Sequence, residues 1–115
     1  MADCLFCKIA RKEIPAAVVH EDAGLMAFKD IFPQAPVHLL IIPKVHCDGL
    51  NDLGPDLAPA VGRIPFLAAE LAKAHGVAGS GWRLLSNVGE DGGQSVHHLH
   101  FHLLGGKALG PKLCQ

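Results

Sequence analysis

Charge is scarce in this chain and leans to neither side. Lysine and arginine number 10 against 11 aspartates and glutamates, a formal net charge of −1. The basic residues are scattered, so there is no electrostatic footprint for nucleic acid or an anionic membrane. Long apolar runs are missing as well. None approaches the roughly 20 residues that a membrane span needs. The opening MADCLFCKIARKE has no basic stretch followed by an apolar one, so no secretory leader is expected and the cytoplasm is the expected compartment. Four cysteines in 115 residues are too few for a disulfide scaffold. Repeats, low-complexity tracts and linkers are absent, and a single domain over residues 1–115 is expected. What is plentiful is apolar side chain, half of the sequence, enough to bury a core. Histidine is the outlier: there are 8, and four of them (His97, His98, His100, His102) fall within six residues.

The pattern along the chain predicts an α+β fold with a mainly antiparallel sheet. Asp3 is placed to cap a short helix through about Ala10, with Cys4 and Cys7 one turn apart on one face. Val18–His20 and Leu25–Asp30 read as strands joined by a hairpin turn at Glu21–Gly24. Pro33 and Pro36 stiffen the following loop. His38–Pro43 is almost continuously apolar, so both of its faces should be covered. From about Pro55 to His75, Leu57, Val61, Ile64, Ala68, Leu71 and Ala72 recur at helical spacing. Pro65 lies inside that stretch and should kink or split it. Trp82–Asn87 and Val96–Leu104 read as the last strands, with Gly89–Gln94 as a loop between them.

In Val96–Leu104 the period is two. His98, His100 and His102 therefore share one face, while Leu99, Phe101 and Leu103 fill the other and face the core. Three imidazoles in a row fit a solvated face, a metal cluster, or a nucleophilic and acid–base row. Histidine titrates near neutral pH, so one ring can attack while its neighbours hold an anion. The adjoining Gly92-Gly93-Gln94-Ser95 loop suits an anion held by backbone N–H groups. Spacing alone leads to an anionic-substrate site.

His98-Leu99-His100-Phe101-His102-Leu103-Leu104 resembles the signature of the histidine triad (HIT) family. Further islands are similar to its Hint branch, the purine nucleoside phosphoramidases. They are Asp3–Ile9, Phe28–Ile31, Pro33–Pro36, Ile42-Pro43-Lys44, Asn87 and Gly92–Val96, so the resemblance runs to about residue 106. It implies a HIT-like fold: a five-stranded antiparallel sheet with one long and one short helix, extended across a homodimer. It also implies hydrolysis of purine nucleoside 5′-phosphoramidates, the AMP and GMP conjugates. His100 would attack phosphorus and form a nucleotidyl-histidine. His102 would contact the phosphate and help the leaving group, and His98 and His38 would hold the ring row in register. Ser95, Asn87 and Gln94 would serve the phosphate side, and Asp30 the ribose hydroxyls. Leu5, Phe6, Ile9, Phe28 and Ile31 would surround the purine. On residues alone, plainer readings stand beside these. Asp30 suits a turn, Asn87 a strand cap, Ser95 a solvated loop, and the apolar five an ordinary core.

Cys4-x-x-Cys7 admits redox, zinc and bare-thiol readings, but the strand–helix setting of a redox pair is missing. Two cysteines with two histidines make a common tetrahedral zinc set. The resemblance to bacterial members that carry this pair implies His46 and His98 as the other ligands. Such a zinc would be structural, and no cofactor is required for the chemistry. The tail Gly110–Gln115 departs from the Trp-Pro-Pro ending of the animal-type proteins, which bears on the leaving group. Two other functions remain open: a dinucleoside polyphosphate hydrolase of the Fhit type, and a nucleotide-binding scaffold with little turnover.

Overall fold

The computed structural model describes residues 4–111. Helix α1 spans Leu5–Ala10, and strands β1, β2 and β3 span Val18–Glu21, Leu25–Lys29 and Val37–Pro43. A short 3-10 turn at Leu50–Asp52 leads to α2 (Ala58–Val61) and α3 (Ile64–Ala74). Strands β4 (Trp82–Leu85) and β5 (Phe101–Gly105) complete one five-stranded sheet, ordered β1-β2-β3-β5-β4, with every pairing antiparallel. Among the described residues, no helix is long and apolar enough to cross a membrane.

Strand β3 is central, and its residues are buried from His38 to Pro43. Alternation divides them between two cores. Leu39 and Ile41 join Leu25, Ala27, Leu103 and the inner face of α3. Leu40 and Ile42 join Met26, Phe28 and, from α1, Phe6 and Ile9. His38 and His102 fall on the α1 side by the same parity, because Leu40 pairs with His102 in the β3–β5 ladder.

The helical stretch is indeed split, at Gly62 and Arg63, so the expected long helix is α2 followed by the 11-residue α3. Pro65 sits in the first turn of α3, where its missing N–H has no intrahelical partner to lose. The junction is tied to the β1–β2 hairpin. Asp22 Oδ1 accepts from the Gly24 and Leu25 N–H groups, both at 2.9 Å, and the carboxylate takes the Arg63 fork at 3.0 and 3.2 Å. Arg63 first, then His20, holds the Asp22 carboxyl far below the usual range.

Three boundaries differ from expectation. The N-cap of α1 is Cys4, whose sulfur accepts the Cys7 N–H, while Asp3 lies outside the described residues. Strand β4 stops at Leu85 rather than Asn87. The last strand starts at Phe101, not Val96, so His98 and His100 precede it. The cause is the partner strand. Extending the β3–β5 register would set Leu99 opposite Pro43, which has no N–H to give. The Pro43 carbonyl is taken by His98 Nε2 instead, and the Leu99 N–H turns to the Cys47 carbonyl. On the other side, Ser86 donates its hydroxyl to the His100 carbonyl at 2.7 Å, a side chain standing in for a ladder bond.

Candidate active site and metal centre

Two histidine systems meet on the α1 side of the sheet. Among the described residues no buried side-chain polar atom lacks a partner, so each ring nitrogen can be assigned from the group it faces.

The first system starts at Gln34. Its backbone N–H donates to His38 Nδ1 at 3.0 Å, so the His38 proton is on Nε2. That nitrogen lies 2.9 Å from His102 Nδ1 and 3.3 Å from Asp30 Oδ2. His102 Nδ1 therefore accepts, and the His102 proton is on its own Nε2. Burial, then the neighbouring His100 and His38, holds the His102 pKa down to about 4, and burial lowers His38 as well. Both rings are neutral near pH 7. Asp30, His38 and His102 are close enough to suggest a metal site. A metal on His38 Nε2 would put a proton on Nδ1, directly against the Gln34 N–H. The cluster reads as a hydrogen-bonded chain.

His100 adjoins this chain, with its ring centroid 5.1 Å from that of His102. Its Nδ1 lies 2.7 Å from the His98 carbonyl oxygen, which can only accept. Nδ1 therefore donates, and whenever the ring carries a single proton the lone pair is on Nε2. The Phe6 ring stands edge-on to His100 at 5.1 Å and to His98 at 6.0 Å. It packs between the two systems.

The second system joins Cys4, Cys7, His46 and His98, whose ligand atoms all lie within 4.8 Å of one another. His98 is fully buried and donates from Nε2 to the Pro43 carbonyl at 2.8 Å. His46 donates from Nε2 to Asp48 at 2.6 Å. Both Nδ1 lone pairs thus face the sulfurs: His98 lies 3.3 Å from Cys4 Sγ and 3.5 Å from Cys7 Sγ, and His46 lies 3.3 Å from Cys7 Sγ. Zinc bond lengths put tetrahedral S and N ligands about 3.6 Å apart. The donor set, its spacing and the oxygen on each outer ring nitrogen all fit a metal ion. Burial, then Cys4, pushes the Cys7 thiol up, and burial pushes His98 down, so the cluster is least costly when its charge is neutralised.

The remaining expected site residues are scattered. Asp30 Oδ1 accepts the Phe32 N–H at 2.8 Å, and its carboxylate faces His38. Asn87 donates to the Gly92 carbonyl at 2.7 Å and so shapes the loop. There a Cβ on Gly92 would collide with the Val88 carbonyl oxygen. Ser95 is exposed at the end of that loop. The Gln94 amide bonds to three backbone groups: it accepts from Gly89 and donates to Asp48 and Val96. Phe6, Ile9 and Phe28 are core residues of the α1 face, whereas Leu5 is half exposed and Ile31 is 82% exposed. The sequence assigns no role to Gln34 and Pro43, which lie in islands of the resemblance, and does not single out Asp48 or Ser86. Asp48, two residues from His46, could have been found by spacing. Backbone groups and a distant hydroxyl carry no local signal.

The neutral pair gives a pH prediction. Folded His102 resists protonation until about pH 4, whereas an unfolded histidine takes its proton near pH 6.5. Between these values the unfolded chain binds more protons, so the stability from this ring is full above about pH 6.5 and declines as pH falls toward 4. Nitrogen-correlated NMR should show His102 neutral, with its proton on Nε2, throughout pH 5–8. A His102 titration midpoint above pH 6 would refute the chain of donors.

The HIT domain profile matches residues 11–109. Protein HitA of Neisseria gonorrhoeae is 50% identical over 105 residues, covering 91% of this chain and 97% of that one. Purine nucleoside phosphoramidase of Escherichia coli (strain K12) is 46% identical over 111 residues, covering 96% and 93%. The crystal structure of a HIT family hydrolase from Legionella pneumophila superposes with a TM-score of 0.91 at 51% identity, covering 95% and 97%. With the triad leading into strand β5 and a matching profile over most of its length, this chain belongs to the HIT domain family.

Proposed function

We propose that the protein hydrolyses the phosphorus–nitrogen bond of purine nucleoside 5′-phosphoramidates, with His100 as nucleophile. One observation carries this reading: His100 Nδ1 is tied to the His98 carbonyl, so the other ring nitrogen has its lone pair available. In the first step His100 Nε2 bonds to phosphorus, the P–N bond breaks, and the amine leaves with a proton taken from solvent. In the second, water attacks phosphorus and gives up its proton to solvent, the histidine nitrogen departs with its electron pair, and the nucleoside monophosphate is released. Splitting the displacement lowers each barrier. The His102 Nε2–H, the Ser95 hydroxyl and the loop N–H groups would meet charge on the non-bridging oxygens. Asp30 would receive the ribose hydroxyls and the apolar α1 side the purine. The similarity to Escherichia coli purine nucleoside phosphoramidase supports this substrate class over the dinucleoside polyphosphates. The triad nucleophile supports turnover over mere binding.

His100→Ala should lower kcat on an adenosine phosphoramidate at least about 10³-fold, roughly 4 kcal/mol of barrier. AMP affinity should hold within a few-fold, because ribose and base contacts are untouched. Rapid quench of the wild type should trap an added nucleoside monophosphate on His100 by mass spectrometry. Retention of more than about a tenth of the turnover would end the nucleophile assignment.

The Cys4, Cys7, His46 and His98 set is read as a structural zinc site. Zinc bound there would neutralise the thiolates and pin α1 to the segment that leads into the triad. With four protein ligands it leaves no position open for substrate. The described thiols Cys4, Cys7 and Cys47 are free, in keeping with a reducing compartment such as the cytoplasm. Purified protein should carry close to one zinc per chain. Cys4→Ser/Cys7→Ser should lose it, along with more than about 8 °C of Tm, roughly 2 kcal/mol at this size, while kcat changes less than about tenfold. Elemental analysis without zinc, after chelator-free purification in supplemented medium, would remove the metal.

The same reading includes a homodimer. Strand β4 is an open edge of half-buried residues, and Phe66 on the outer face of α3 is 74% exposed. An unpaired edge beside an exposed aromatic is an association hazard unless a two-fold partner covers it. Light scattering at micromolar concentration should report twice the 12.1 kDa of one chain, and a monomer mass would exclude the extended sheet.

A further inference from the structure

We infer that Gln94 is a positioning residue that couples the Cys4/Cys7/His46/His98 site to the phosphate loop. The inference rests on the nucleotide and zinc readings above and adds a connection between them. Asp48 stands at one end. Its carboxylate holds His46 Nε2 at 2.6 Å, and its backbone carbonyl accepts from Gln94 Nε2 at 2.5 Å. The same amide nitrogen donates to the Val96 carbonyl at 3.1 Å, two residues before His98. At the other end, Gln94 Oε1 accepts the Gly89 N–H at 3.0 Å, and the Gln94 N–H donates back to the Gly89 carbonyl at 3.0 Å. Gly89 and Gln94 thus close the loop that carries Gly92 and Gly93.

The chemistry of this clamp is specific. One group must donate twice and accept once, and an uncharged primary amide does so. A carboxylate would set negative oxygen against the Asp48 and Val96 carbonyls. A methionine keeps the length and loses every bond. Space is also specified, because a Cβ on Gly49 would lie 3.3 Å from Gln94 Oε1 and 3.5 Å from Nε2. Both strings of atoms, His46–Asp48–Gln94 and His98–Val96–Gln94, end on one amide. When a metal holds the two ligand histidines, Asp48 and Val96 are fixed, and the Gly89–Gln94 loop is fixed with them. Binding energies coupled in this way are reciprocal. A phosphate in the loop should tighten the metal as much as the metal tightens the phosphate.

The test uses the full-length protein, zinc in competition with a chelator, and AMP beside adenosine, which lacks the phosphate. In the wild type, saturating AMP should tighten zinc about fivefold or more, the lower end of common coupling strengths, and adenosine should not. In Gln94→Met the AMP effect on zinc should fall below about twofold. AMP affinity of the zinc-loaded variant should drop by the factor lost, with adenosine affinity unchanged. Should Gln94→Met fold poorly, Gly49→Ala serves. Gly49 has an extended backbone (φ −172°) that alanine adopts without strain, and the added methyl only displaces the amide. It should lose part of the coupling in the same direction. Zinc affinity indifferent to AMP in the wild type overturns the proposal, as does full coupling in both variants. The two underlying readings are measured separately. A wild type that binds zinc but no AMP removes the nucleotide reading, one that binds AMP but no zinc removes the metal reading, and either takes the coupling with it.

Discussion

The hydrogen bond from His100 Nδ1 to the His98 carbonyl organises the site, because it decides which nitrogen of the central ring is free. A neutral imidazole has one donor and one acceptor nitrogen. Against a carbonyl oxygen the facing nitrogen must donate, so the lone pair is left on Nε2. That bond is only as steady as His98, whose ring is fully buried and held by the Pro43 carbonyl on one side and the cysteine cluster on the other. One residue thus divides its work. Its side chain belongs to the Cys4, Cys7, His46 and His98 cluster, which could hold a metal, and its backbone orients the His100 ring.

The strand must end early for this to happen. In a continued β5, the Pro43 carbonyl would look for a ladder N–H and the His98 ring would project from the sheet like its neighbours. Proline at the end of β3 stops the ladder, and the freed carbonyl becomes an acceptor for a side chain. Burying a histidine costs about as much as leaving any polar group unpaired, unless both nitrogens find partners. Here both do, and the chain turns toward α1 without an orphaned group. Phe6 then fills the wedge between His98 and His100.

Much of this arrangement was legible in the residues. The alternation of Leu99, Phe101 and Leu103 with histidine identified the core side, and Leu99 and Leu103 are buried there against α3. The apolar run His38–Pro43 announced a strand covered on both faces. Pro65 announced a break, since a proline inside a periodic helical stretch has few other outcomes. The resemblance implies His46 and His98 as partners of the cysteine pair, and the four do converge. What could not be read was contact between distant backbone groups. The end of β5 depends on Pro43, far away in sequence. The His38 tautomer depends on a backbone N–H that every residue but proline carries. Gln94 is expected from the resemblance on the phosphate side, but its bonds could not be read for the same reason: its partners are Gly89, Asp48 and Val96 through main-chain atoms.

The two histidine systems solve opposite electrostatic problems with one device. For the Cys4, Cys7, His46 and His98 cluster to hold a metal, thiols and imidazoles need their lone pairs turned inward, and oxygens occupy the outer Nε2 positions of His46 and His98. In the Asp30–His38–His102 chain, a backbone N–H occupies Nδ1 of His38, and the His38 proton is turned toward His102. Reversing either partner would reverse the function: a carbonyl in place of the Gln34 N–H would turn the His38 proton outward and leave His102 Nδ1 without a donor. Burial keeps the His38 and His102 rings neutral, with His102 held down to about 4. The ring beside His100 therefore acts as a fixed hydrogen-bond donor at neutral pH and not as a standing cation. An anionic substrate would meet oriented N–H groups rather than a full positive charge, and the lone pair on His100 would not be drawn away by a neighbouring imidazolium.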